Sequence, residues 1–379
     1  MKFSVTGEKL VEYLTKVNSV VPTRTPLPIL DNILFQLDGD ILQMISSDLE
    51  IFMKTELEVK GAGNGSVAVP AKRLLDITRT LTNEKLEIDV NDKNRVTIKS
   101  KRGKFTLGGE PADEFPMPEE KEDMNRIEIK GPTVKRFLSK IIHAVNTDEM
   151  RRNMAGVLIE ASTDQLKIVA TDGFRLGKII KTNYEHSPDA EEKIVIPYKT
   201  AQHILRLNNN EDTLIEYDDH DLKISFDNVM IYSKLIDDTF PNYENVIPAD
   251  NDKILRIKKQ DFSDSLVRAL IFADVITKRV RLELTSSTLQ IKADNPEIGS
   301  EGEEMIDCSF NSKTGTEDFD KTPFVIAFNA GYLLDAVSQM ETEELNVSFG
   351  NPSKAAIITP TEQKNDEDFI ELIMPVRVG

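Results

Sequence analysis

One cysteine, Cys308, is all that the 379 residues contain, which excludes an internal disulfide framework and fits a reducing cytosol. No stretch approaches the roughly 18 consecutive apolar residues of a membrane-spanning helix. The opening segment MKFSVTGEKL holds no apolar core of signal-peptide length, so a cytoplasmic location is expected. Phosphate-binding loops of the GxxxxGKS/T and GxGxxG types are missing. The histidines His143, His186, His203 and His220 are scattered, with no paired metal-ligand spacing. Cys308 has no histidine near it in sequence. The acidic runs EGEE at 301–304 and PEEKED at 118–123 read as solvated loops, and Gly61-Ala-Gly63 and Gly108-Gly109 read as turns. These gaps argue against an enzyme and imply no metal and no cofactor.

Positive charge is also short. The formal net charge is −18, which disfavours nonspecific adhesion of the outer surface to nucleic acid or anionic lipid. Hydrophobic content of 39% and charged content of 30% are those of a soluble globular protein.

What is present is repetition. FSVTGEKLVEYL from Phe3, IEIKGPTVKRFL from Ile127 and LRIKKQDFSDSL from Leu255 each read as a short alternating strand leading into a helix. The steps, 124 and 128 residues, are domain-sized and far longer than a solenoid repeat of roughly 20–50 residues. A second strand-to-helix passage recurs at Val67, Ile194 and Val325. Pro70 and Pro197 mark its helix start in the first two copies, the position proline tolerates best, and Phe328 takes that place in the third. A third landmark is a strand ending in a polar turn, at Asp48, Asp172 and Asn295. The pattern predicts an α+β fold of three domains, 1–125, 126–252 and 253–379. Each would hold two one-helix, strand-rich units, with polar linkers at 116–126 and 247–253.

The predicted helices carry what positive charge there is. In 132–145, Val134, Phe137, Leu138, Ile141, Ile142 and Val145 form an apolar stripe, with Lys135, Arg136 and Lys140 opposite. From Ala71, Leu74, Leu75, Ile77 and Leu81 face in, while Lys72, Arg73 and Arg79 face out. The helix from Tyr198 exposes Lys199 and Arg206. The six helices sum to +7 against the acidic remainder. If they line one surface, it suits a polyanion and tracks phosphates without reading bases. The segment ATDGFRL at 170–176 departs from its counterparts just after the shared turn, which marks a site used in one third only.

The chain resembles the bacterial sliding clamps, the beta subunits of DNA polymerase III. The likeness rests on MKFSV at 1–5, RTPLPILDNILF at 24–35, SDLE at 47–50, VPAKRLLDI at 69–77, ATDGFRL at 170–176, SKLIDDTFPNY at 233–243 and MPVR at 374–377. It implies three domains of DNA-clamp topology, with helices lining a central hole and sheets outside, closed as a head-to-tail homodimer ring around duplex DNA. The implied role is a noncatalytic processivity factor that tethers polymerase, clamp loader and repair proteins through short peptides, with no membrane partner. The alternative is a repeat-built interaction scaffold that never encircles DNA.

By the resemblance, Arg24, Arg73, Lys135, Arg136, Lys140, Arg151, Arg152 and Lys199 face the DNA; the family often has an aromatic pair just after the arginine here, where this chain has Arg152-Asn153. The implied peptide cleft is Met154, Thr171, Gly173, Phe174, Arg175, Leu176, Pro241, Val246, Leu372, Met374, Pro375, Val376 and Arg377. Arg175 is expected to pair with peptide polar groups. Phe174 stands where a histidine is common and Asn245 where some members have arginine, two departures that bear on peptide preference. For the ring contact, Arg102, Lys104 and Phe105 are expected to meet Ile271, Phe272, Glu301, Glu303 and Glu304, opposite charges suiting a head-to-tail interface.

Overall fold

A computed structural model describes the chain except residues 131, 149, 183, 185–191, 208–211, 316 and 378–379. His186, Val378 and Gly379 therefore lie outside the described residues. Six strand-to-helix passages organise the fold. Strand Lys2–Thr6 enters α1 (Gly7–Asn18), Gly65–Pro70 enters α2 (Ala71–Arg79) and Asn125–Ile129 precedes α3 (Thr133–Ile141). Glu192–Pro197 enters α4 (Tyr198–Arg206), Lys253–Lys258 enters α5 (Lys259–Phe272) and Phe324–Asn329 enters α6 (Ala330–Ser338).

Several details of the sequence reading change. In the third copy the residue before the helix is Asn329, not Phe328. Its side chain accepts hydrogen bonds from the N–H groups of Gly331 at 2.9 Å and Tyr332 at 3.3 Å, an N-cap that does the work of proline by other means. And α3 stops at Ile141, passing into a 3₁₀ turn at Ile142–Ala144. Val134, Phe137, Leu138 and Ile141 are its buried stripe, each worth roughly 1.5–3 kcal/mol of apolar burial.

The strands form antiparallel sheets of five, eight, nine and four members. Two compact units result: Met1–Lys135 with Lys199–Asp237, and Arg136–Tyr198 with Asp238–Gly379. In the first unit, the eight-stranded sheet joins the first third to the middle third where Ile51–Glu58 pairs with Val229–Lys234. In the second unit, the nine-stranded sheet joins the middle third to the last where Arg175–Thr182 pairs with Glu367–Ile373. Continuous backbone pairing across the repeat explains why compact units and repeats do not share boundaries.

Within the first unit α1 packs on α2, with Leu10, Leu14 and Val17 of the one and Leu74, Leu75 and Thr78 of the other buried. Ile77 is only half-buried; Thr78 takes the inner position, its hydroxyl donating back to Leu74 O at 2.8 Å. Gly7 is required at the contact, because a Cβ there would stand 2.0 Å from Leu81 O. Gly61 and Gly63 belong to the strand Lys60–Gly63 rather than to a turn, and Gly61 is needed there because a Cβ would meet Gly39 O at 1.8 Å. EGEE is likewise not a loop but part of the edge strand Ser300–Asp307. Among the described residues no helix is long and apolar enough to cross a membrane.

Candidate functional site

The turn after strand Gln165–Thr171 is built by its own side chains. Asp172 Oδ1 accepts from the N–H groups of Phe174 at 2.8 Å and Arg175 at 3.0 Å, while the Gly173 N–H donates to Thr171 Oγ1 at 3.1 Å. Gly173 has φ +87°, a conformation that glycine takes at no steric cost. The turn leaves Phe174 53% exposed. Antiparallel pairing then sets Arg175 opposite Ile373 and Leu176 opposite Leu372. The Met374 N–H donates to Phe174 O at 2.8 Å, and the Val376 N–H donates to Ala327 O at 2.8 Å, which hands the C-terminal segment from the nine-stranded sheet to the four-stranded one. Met374 and Arg377 are exposed, and Pro375 and Val376 are half-buried.

Several cleft residues serve as support rather than as contact surface. Leu176 and Leu372 are buried at 1% and 2% exposure, and Thr171 is buried with its hydroxyl donating to Arg175 O. Met154 and Pro241 are half-buried; Val246 is exposed. The segment carrying Pro241 and Val246 is anchored by Tyr243 OH donating to Glu160 at 2.7 Å and by Lys167 Nζ 3.4 Å from Glu244. Arg175 is not free to greet a peptide. Its guanidinium donates to Asp172 at 3.0 Å and Asp335 at 2.5 Å and lies 4.4 Å from the Tyr332 ring centroid. Asp335 and Tyr332 went unnoticed in the sequence because they sit on α6, some 160 residues away.

Arg151, placed among the DNA-facing residues by resemblance, stands 6.0 Å from the Phe174 ring. It shares with Phe174, Arg175, Tyr332 and Asp335 an open groove of about 600 Å³. On the strand paired with the Arg175 strand, opposite Gly177, stands one member of a pair that sequence reasoning also missed. Glu371 is fully buried, 3.3 Å from His143 Nε2, and burial pushes its carboxyl above the usual range. A lone acid inside the apolar run FIELIM was the available signal.

The cations of α3 are largely spent inside the fold. Lys140, expected on an open face, is 6% exposed; its ammonium donates to Gln339 O at 3.0 Å and lies 3.2 Å from Glu341. Desolvation lowers its pKa. Arg136 is paired with Glu341 and Glu367, and Lys135 donates to Leu207 O at 2.6 Å. Lys199 is exposed but 2.6 Å from Glu50. Arg24, Arg73 and Arg152 are exposed and have no ion pair among the described residues.

Each unit also ends in an open strand edge. In the first, the turn at 100–103 leads into the edge strand Lys104–Gly108, with Arg102 and Lys104 exposed and Phe105 half-buried. In the second, the edge strand Ser300–Asp307 buries none of its residues. Glu301 and Glu303 are exposed there, beside Ile271 and Phe272 of α5, at 73% and 39% exposure. Glu304 is already held by Arg268, at 2.5 Å. No group of three or more His, Cys, Asp or Glu suited to a metal occurs among the described residues.

Comparison with known proteins covers nearly the whole chain. Residues 1–119, 128–242 and 244–377 match the N-terminal, central and C-terminal domains of the DNA polymerase III beta subunit. The beta sliding clamp of Pseudomonas putida is 28% identical over 382 residues, covering 100% of each chain. A crystal structure of a Pseudomonas aeruginosa sliding clamp bound to griselimycin superposes with a TM-score of 0.91 at 27% identity, and that of a Bacillus subtilis DNA polymerase sliding clamp with 0.90 at 26%, each covering 100% of both chains.

Proposed function

The chain belongs to the DNA polymerase III beta subunit family, and from that premise we propose that it is the processivity factor of a replicative polymerase. It binds duplex DNA without reading its sequence and binds DNA polymerase III. Three domains, at 1–125, 126–252 and 253–379, close head to tail as a homodimer into a ring with helices inside. A ring converts dissociation from loss of a local contact into a topological event, and it keeps tethered polymerase at high effective concentration near the primer end. No catalysis is assigned to it. Clamp-loader and repair proteins take the same peptide cleft, with Phe174, Met374, Val376 and Val246 as apolar contacts and Leu176 and Leu372 as the floor.

The observation that carries the ring is the pair of open strand edges. One carries exposed Arg102 and Lys104, the other exposed Glu301 and Glu303. Charges can blunt an open edge by themselves, but here the two edges carry opposite signs, which favours their pairing and sets its polarity. The test is retention on DNA. A clamp stays on closed circular DNA and is lost when the circle is cut; equal retention on linear and circular DNA defeats the reading.

A second reading, a peptide-binding scaffold that never encircles DNA, draws support from the internal pairing of Arg136 and Lys140. It requires a monomer by sedimentation with peptide binding intact.

A further inference from the structure

The turn that presents Phe174 has a twin in the first unit. Asp48 Oδ1 accepts from the N–H groups of Glu50 at 3.0 Å and Ile51 at 2.8 Å, and the Leu49 N–H donates to Ser47 Oγ at 2.9 Å. These are the bonds of Asp172, Gly173 and Thr171, atom for atom. Leu49 has φ +77° where Gly173 has +87°. The following strand again pairs with the last strand of the next third: Ile51 faces Ser233 as Arg175 faces Ile373, and Phe52 faces Tyr232 as Leu176 faces Leu372.

Above this twin turn lies a cavity of about 180 Å³. Leu49, Phe52, Met117, Met124 and Tyr232 give it an apolar body. Leu49 and Met117 are 48% and 49% exposed and line the same cavity, so their apolar surface is shared there rather than scattered singly. Methionine lets such a wall adapt to its ligand. The volume admits one or two side chains and not a folded domain. Charge narrows the choice further. The lining lysines are already paired: Lys121 with Asp218 and Asp221 at 2.5 Å each, Lys234 with Asp221 at 2.5 Å and Lys223 with Glu216 at 2.8 Å. Glu119 and Glu120 at the rim are exposed and have no ion pair among the described residues. Glu120 is near enough to the buried Tyr232 phenol to add to the burial that pushes it up to about 12.

We propose that this cavity is a second peptide-docking site, for a short extended segment with an aromatic or large apolar anchor flanked by basic residues. It goes beyond the cleft at Phe174 and does not depend on it. The anchor fills the space over Phe52 and Tyr232, and the basic flank meets Glu119 and Glu120.

The chain contains no tryptophan, so a tryptophan-bearing peptide reports its own burial. The probe is acetyl-Lys-Leu-Trp-Leu-Arg-amide, with its Glu-flanked counterpart as control, followed by tryptophan emission and amide hydrogen exchange on the full chain. The basic peptide is expected to bind and the acidic one not, with new exchange protection over 117–124 and 229–234. Glu119→Lys with Glu120→Lys, both at exposed positions, should weaken binding about tenfold, as two surface charge pairs allow. Phe174→Ala should leave binding here unchanged while weakening ligands of the other cleft. Protection confined to 171–176 and 372–377, affinity untouched by the double reversal, or no binding overturns the proposal.

Discussion

Glu371 shows how little a single residue's type says about its state. In sequence it is one of 65 acidic residues on a strongly acidic chain; in the fold it is fully buried against His143. Because burial raises its folded-state pKa above the unfolded value, the fold holds this proton more tightly than the unfolded chain does. Its stabilising contribution is complete below the ordinary carboxylate range and is lost as pH rises through the folded value. Glu371→Gln is therefore expected to raise the melting temperature at pH 8 and change it less at pH 5. An equal shift at both pH values contradicts this account. Leu49 carries strain of another kind. A leucine at φ +77° costs about 1–2 kcal/mol, part of which glycine would return to the larger entropy of the unfolded chain. Leu49→Gly should gain roughly 0.5–1 kcal/mol in urea unfolding; an unchanged or lower midpoint refutes the strain. Asp48, Asp172 and Asn295 were legible as polar turns from their spacing alone, since such side chains bond the backbone two residues on.

At the scale of the element, helices were easier to place than their faces. The apolar stripe of α3 follows from its period, and Val134, Phe137, Leu138 and Ile141 are all buried. The opposite face was read as free cations, and there the reading failed for Lys140. Its partners Gln339 and Glu341 lie about 200 residues on, so local periodicity has no access to them. α2 behaves otherwise: Lys72, Arg73 and Arg79 remain exposed. The two helices should therefore respond differently to charge reversal. Lys140→Glu sets a second carboxylate beside Glu341 in a buried place and is expected to cost about 3 kcal/mol of stability. Arg24→Glu with Arg73→Glu is expected to keep the melting temperature and reduce loading onto circular DNA severalfold, with retention after loading unchanged. If Lys140→Glu were as stable as the parent yet lost DNA, the internal pairing would be wrong.

For the whole molecule, the decisive quantity is oligomeric mass, because tethering by encirclement needs closure. Arg102→Glu with Lys104→Glu reverses one edge; Glu301→Lys with Glu303→Lys reverses the other. Each double variant alone should sediment as a monomer. In a head-to-tail dimer formed from one copy of each, both contacts again join opposite charges, so mixing should restore dimer mass. Monomers that persist after mixing would remove these residues from the interface.

The sequence by itself determined the threefold period, the six strand-to-helix passages, the turn chemistry and the family, because spacing and turn residues are local properties. Tertiary structure alone decided which charges are free. Sheets that run from one third into the next bring Glu371 beside the Arg175 strand, and packing brings Asp335 to Arg175 and Glu341 to Lys140. Whether a charged side chain faces water or a partner is set by what packs over it, and those neighbours come from the far end of the chain.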